Sequence, residues 1–91
     1  MASAADFEQA VGQAFVIAAG DQRISLELSA VKRVANSTRP DGGFCLLFTG
    51  PRDIPLPQAT YRFTGIGGVH DIFIVPVAED AAGRHYEAVF N

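Results

Sequence analysis

His70-Asp71 is the first place in this sequence where acid–base chemistry could reside. An imidazole beside a carboxylate is the pairing that general-base catalysis uses. Neighbours on a strand point to opposite faces, however, so Asp71 can orient His70 only where the chain turns. The wider set is His85 with Ser25, Ser29 and Ser37 as hydroxyls. No G-x-S-x-G elbow accompanies them, and a triad is defined by geometry, which this spacing does not supply. Both histidines therefore read as surface residues near turns, and no catalytic residue is assigned. A minor hydrolase or metal-dependent enzyme centred on His70, Asp71 and His85 stays as the last of three readings.

Metal ligation fares no better. His85 and Glu87 are two apart, so on a strand they share a face, a permitted ligand geometry. A metal site needs about three or four such donors, and the chain has no H-x-H, H-E-x-x-H or C-x-x-C. No metal and no cofactor are expected. Cys45 is the sole cysteine and lies between Phe44 and Leu46. It cannot form a disulfide within the chain, and it reads as a small buried hydrophobe. Gly65-Ile66-Gly67-Gly68 lacks the lysine and the following helix of a phosphate cradle, so it reads as a turn.

Charge excludes two partner classes. Lysine and arginine total 7 against 10 acidic residues, for a net charge of −3. The cations are scattered along the chain, and Lys32-Arg33 is the one adjacent pair. Nucleic-acid binding needs a basic stripe to neutralise phosphates, so most of the aromatic set Phe44, Phe48, Tyr61, Phe63, Phe73, Tyr86 and Phe90 reads as core rather than as a base-stacking platform. An anionic membrane surface is disfavoured on the same ground. The N-terminal stretch MASAADFEQAVGQAF carries Asp6 and Glu8 and has no basic start, so it is no signal peptide. No run approaches the roughly 18 apolar residues that span a bilayer. The expected location is the cytoplasm.

Hydrophobic residues make up 48 % and charged residues 19 %, which fits a chain with a real core rather than a disordered one. At 91 residues the expectation is one domain, 1–91, with a net stability of about 5–10 kcal/mol. Ser3 and Asp6 resemble a capping box, and Phe7, Ala10, Val11 and Ala14 follow at helical spacing. This predicts a helix over about 4–12, ended by Gly12. Alternation of Ile24, Leu26 and Leu28 with Arg23, Ser25, Glu27 and Ser29 predicts a strand with one wet face. The phase breaks at Ala30-Val31, which suggests a bulge. Strands are expected at about 14–19, 23–34, 43–49, 59–64, 71–77 and 85–90. Gly20-Asp21, Pro40-Asp41-Gly42, the Gly65–Gly68 stretch and AEDAAGR supply turns between them. The fold class is all-β and mainly antiparallel: a small six-stranded barrel or sandwich with one short N-terminal helix.

GFCLLFTG and DIFIVPV are apolar on both faces. One face fills the interior, and the other needs a cover. The helix stripe is one candidate cover and a partner chain is the other. Pro76 places the end of its strand at an edge or a bulge.

The stretch GPRDIPLPQ holds three prolines within seven residues. Each proline pushes the residue before it out of the helical region, so the segment is a stiff, extended crossing. Its first role is a connector with Ile54 and Leu56 tucked on the core. A second role is a preformed docking edge formed by Pro51, Arg52, Ile54, Pro55, Leu56, Pro57 and Gln58, because a rigid loop loses little entropy on binding.

FTGP at 48–51, LPQATYRF at 56–63, DIFIVPV at 71–77 and HYEAVFN at 85–91, taken together, resemble a family of small bacterial proteins defined as a domain of unknown function of about this length. The resemblance spans 7–91 and implies an association with phage-tail-collar-like or tail-fibre-like proteins. It carries no catalytic residue across.

The leading reading is a non-catalytic protein-interaction or accessory module for a tail-like assembly. Its partner would be another chain, tail-collar-like in identity, or a second copy, met through the proline loop and an apolar strand face. The alternative is a small-molecule-binding barrel with a pocket lined by Tyr61, Arg62, His70 and Tyr86.

Overall fold

Period-two alternation decides the architecture. The computed structural model describes residues 4–34, 43–65 and 68–90. These form α1 (Ala4–Glu8), β1 (Ala14–Ala19), β2 (Gln22–Val34), β3 (Gly43–Gly50), β4 (Ala59–Gly65), β5 (Gly68–Asp80) and β6 (Gly83–Phe90). All six strands pair antiparallel in a closed barrel, in the order β1-β2-β3-β6-β5-β4. Inward positions along each strand are buried: Ile24, Leu26 and Leu28 on β2, Phe44, Leu46 and Phe48 on β3, and Ile72 and Ile74 on β5. Phe48 packs on Phe63 with ring centroids 4.8 Å apart and edge-on to Phe15 at 6.0 Å. Each such aromatic pair contributes about 0.5–1.5 kcal/mol beyond its buried area.

Both phase breaks read from the sequence are bulges. The β2–β3 register shifts between Leu28 and Ala30, and the β5–β6 register shifts between Pro76 and Ala78. The second bulge lets a proline sit inside a ring that has few free edges.

Four boundaries differ from expectation by more than one residue. The helix stops at Glu8 rather than near residue 12, because long-range pairing wins over the last turn. Gly12 N–H donates to Leu28 O at 2.8 Å, Leu28 N–H donates to Gln13 O at 3.0 Å, and Gly12 turns the chain at φ 88. β5 begins at Gly68 and runs to Asp80 rather than spanning 71–77, and β6 starts at Gly83 rather than 85. The turn between them is only Ala81-Ala82, with Ala82 N–H held by Asp80 Oδ1 at 2.9 Å, so the ladder continues to its end. The Ser3 cap, Ser37, the Pro40-Asp41-Gly42 turn and the Ile66-Gly67 part of the glycine stretch lie outside the described residues.

The helix does not cover a strand face. It stoppers one end of the barrel. Phe7 is buried with its ring 6.0 Å from Phe44, 6.1 Å from Phe90 and 5.3 Å from His70. Arg33 grips Glu8 through Nη2–Oε1 at 2.8 Å and Nε–Oε2 at 3.2 Å, which pins the short helix against β2. So short a helix has no stability of its own, and this docking holds it.

The 51–58 loop stoppers the other end. Leu56 is buried in the core cluster and Ile54 packs against it. Leu56 N–H donates to the Tyr86 hydroxyl at 3.0 Å, and Tyr61 donates to Pro57 O at 2.8 Å. Arg52 Nε reaches Glu79 Oε2 at 3.3 Å, while Arg84 Nε donates to Arg52 O at 2.8 Å. Four contacts thus clip the loop to β4, β5 and β6.

Candidate functional site

Among the described residues, the candidate polar groups stand on the outer wall or at a barrel end. His70 pairs in register with Phe63, faces inward and packs on Phe7. Asp71, its neighbour, points out and meets Arg62, Nε to Oδ1 at 3.2 Å. The opposite-face rule holds, and Asp71 does not orient His70. His85 lies at the other end of the molecule, so His70, Asp71 and His85 do not form one set.

His85 instead joins a chain of side chains across four strands. Its Nδ1 is 3.1 Å from Thr49 Oγ1, and Thr49 Oγ1 hydrogen-bonds Ser29 Oγ. On its far side, Nε2 stands 2.9 Å from Asp80 Oδ1. That contact is short but poorly aligned as a hydrogen bond, so its attraction is chiefly electrostatic and needs a protonated ring. His85, followed by the Ala82 N–H, holds the Asp80 carboxyl below the usual carboxylate range. Hydroxyl, hydroxyl, imidazole and carboxylate in sequence resemble a triad in content only. Ser29, the most exposed hydroxyl, reaches the imidazole only through Thr49, so the base cannot take its proton directly. The chain's evident work is to staple β2, β3, β6 and β5.

The residues expected to line a pocket are not brought onto one wall. Tyr86 is fully buried and bonded to the loop. Tyr61 lies beside it with its hydroxyl held by Pro57, and burial pushes its ionisation up. Arg62 is at the surface with Asp71, and His70 is at the opposite end from Tyr86. Phe15, Phe48, Phe63, Leu26 and Leu46 occupy the interior between them. In the loop, Arg52, Pro55, Pro57 and Gln58 are exposed, Pro51 and Ile54 are half-buried, and Leu56 is buried. The segment therefore closes the barrel first and offers only a rim to a partner.

The outer wall of β3, β6 and β5 is different. The register sets Lys32, Cys45 and Val89 in one row, and Ala30, Leu47, Glu87 and Val75 in the next. The β5–β6 ladder ends at Val75–Glu87; Phe73 lies two residues beyond Val75 on the same face of β5, in register with Thr60 of β4, and Val89 lies two residues beyond Glu87 on the same face of β6. Phe73, Val77 and Val89 are 49 %, 51 % and 52 % exposed, and Cys45, Leu47 and Val75 are half-buried beside them. Paired strands lie about 4.8 Å apart, so Cys45 and Val89, and Leu47 and Val75 on either side of Glu87, put apolar side chains on the same outer wall. Burial first, and then Glu87, push the Cys45 thiol up, while Lys32 opposes them, which locates both charges beside the cysteine. Phe73 stands outside the core that most of the other aromatics fill. The sequence signal was present in the two strands apolar on both faces. Register was needed to show which residues meet.

A family model covers residues 2–90 of the chain. The chain belongs to the family described as Domain of unknown function (DUF6916). The closing FIVPV segment and residues 86–90 of YEAVFN, which carry the resemblance, lie in β5 and β6, two of the three strands of that outer wall. No curated protein and no solved structure matches the chain. Among the described residues, no helix is long and apolar enough to cross a membrane, and no group of three or more His, Cys, Asp or Glu side chains could hold a metal.

Proposed function

We propose that this domain is a non-catalytic protein-interaction module that docks a partner chain on the outer wall of β3, β6 and β5. One observation carries the reading. Phe73, Val77 and Val89 are about half exposed on the face that neither the helix nor the proline loop covers. Apolar side chains exposed together on one face are what interaction sites present, and a large half-exposed aromatic side chain is a common anchor. Glu87 and Lys32 at this surface would set register and choice of partner more than affinity. The exposed rim of the loop, Arg52, Pro55, Pro57 and Gln58, adds a stiff second contact that costs little entropy to order.

The resemblance supports placing the partner in a bacterial, tail-like assembly, as a tail-collar-like chain. Co-purification tests the docking reading. The wild-type domain retains a partner through a salt wash, and a Phe73→Ser/Val89→Ser variant that melts at the same temperature releases it. Equal retention by both proteins removes the outer wall as the docking surface.

A further inference from the structure

A different part of the wall is incompletely paired. The barrel closes through β1 and β4, yet only Val16–Thr64 and Ile17–Phe63 are in register there. β1 has six residues and β4 has seven, and each is fully laddered on its other side. Past Ile17 and Phe63 no further ladder pair forms. The β4 stretch 59–62 and the last residues of β1 therefore have no ladder partner across the seam among the described residues. The opposite end of the seam cannot open in the same way, because the Phe15 ring lies hard against Gly65, where a methyl group would collide with it.

A groove of about 260 Å³ lies over this crease, lined by Val16, Ile17, Ala18, Arg23, Arg62 and Thr64. Its floor is apolar and two guanidinium groups border it. Arg23 has no carboxylate partner among the described residues. Arg62 holds Asp71, but both side chains are more than half exposed, and such pairs exchange readily because they contribute only about 0–1 kcal/mol. The volume falls below the roughly 300–1,000 Å³ of small-molecule pockets. It fits side chains of a peptide better than a metabolite. Unpaired strand edge, apolar floor and flanking arginines together describe a receptor for an extended chain bearing a carboxylate.

We propose that the seam groove binds an extended acidic peptide segment. Its main chain lies along the free edge of β4 near Thr60–Arg62, a carboxylate sits between Arg23 and Arg62, and an adjacent apolar side chain rests on Val16 and Ala18. The ligand carboxylate displaces Asp71 from Arg62. This groove meets the β3–β6–β5 wall at the Thr60–Phe73 pair, but its floor and its two arginines lie outside that wall, so the arginine variants test it independently of Phe73 and Val89.

The test is a titration of the ¹⁵N-labelled protein with a blocked heptapeptide of alternating aspartate and valine. The same peptide with lysine for aspartate, and succinate alone, are run as parallel arms. The expected result is saturable shifts at Val16–Ala18 and Ala59–Thr64 with the acidic peptide only, weakening as salt rises. Arg23→Ala/Arg62→Ala weakens binding at least tenfold with an unchanged melting temperature. Asp71→Asn, which frees Arg62, tightens it severalfold. No shifts at the seam, equal response to the lysine peptide, saturation by succinate alone, or unchanged affinity in the double-arginine variant would each overturn the proposal.

Discussion

The Tyr86 hydroxyl accepts the Leu56 N–H at 3.0 Å inside the closed end of the barrel. Thirty positions separate the two in sequence, and the bond joins β6 to the middle of the proline loop. Neither group has access to water, so the bond satisfies a donor that would otherwise be buried without a partner.

Tyr86→Phe should therefore destabilise the domain by about 1–3 kcal/mol, the cost of an orphaned buried N–H. Leu56→Ala should cost about 2–5 kcal/mol, because it removes the side chain that fills the barrel end. Urea unfolding of the variants measures both. A Tyr86→Phe variant as stable as wild type would show that the loop is not held by this bond.

Acid should loosen the two carboxylate contacts that tie ends to walls. Arg33 holds the Glu8 carboxyl below the usual range, chiefly by its hydrogen bond, and the imidazole of His85 close to Asp80 holds that carboxyl below it too. A carboxyl with a lowered folded-state pKa stabilises the fold above its unfolded value. That contribution is lost as pH falls through the lowered value. Melting temperature should therefore drop as pH falls below about 4. Glu8→Gln/Asp80→Asn should show a shallower drop over that range, and a slope identical to wild type would contradict these pairings.

Cys45 should react slowly. Burial, reinforced by Glu87, pushes its thiol up, so little thiolate exists near neutral pH. Iodoacetamide should label it several-fold more slowly in the folded protein than in urea. Equal rates would mean that the β3–β6 wall does not shield the thiol.

How far the sequence could be read follows from which interactions are local. Strand β2 was legible because Ile24, Leu26 and Leu28 alternate with polar residues. The bulges beside Ser29 and after Pro76 were legible because each breaks a local pattern. The helix was overextended because the pairing of Gly12 and Gln13 with Leu28 outcompetes a last helical turn, and helical spacing carries no sign of that competitor. The loop's connector role was legible in its prolines, but its anchor was not, since Tyr86 lies far along the chain. Two strands apolar on both faces pointed to an uncovered wall. Only the register of β3 with β6 showed that Cys45 meets Val89 and that Leu47 meets Glu87. The Ser29–Thr49–His85–Asp80 chain draws on four strands, and no spacing along the sequence encodes it.

The most direct test of the docking reading is site-specific photo-crosslinking in the source cell. Benzoylphenylalanine is placed at position 89, on the apolar wall, and at position 9, an exposed turn site just after α1, as a control. The docking reading expects one discrete crosslinked species from position 89, absent from position 9 and abolished by Phe73→Ser in the same chain. Crosslinking from position 9 alone, or none from position 89, would contradict it.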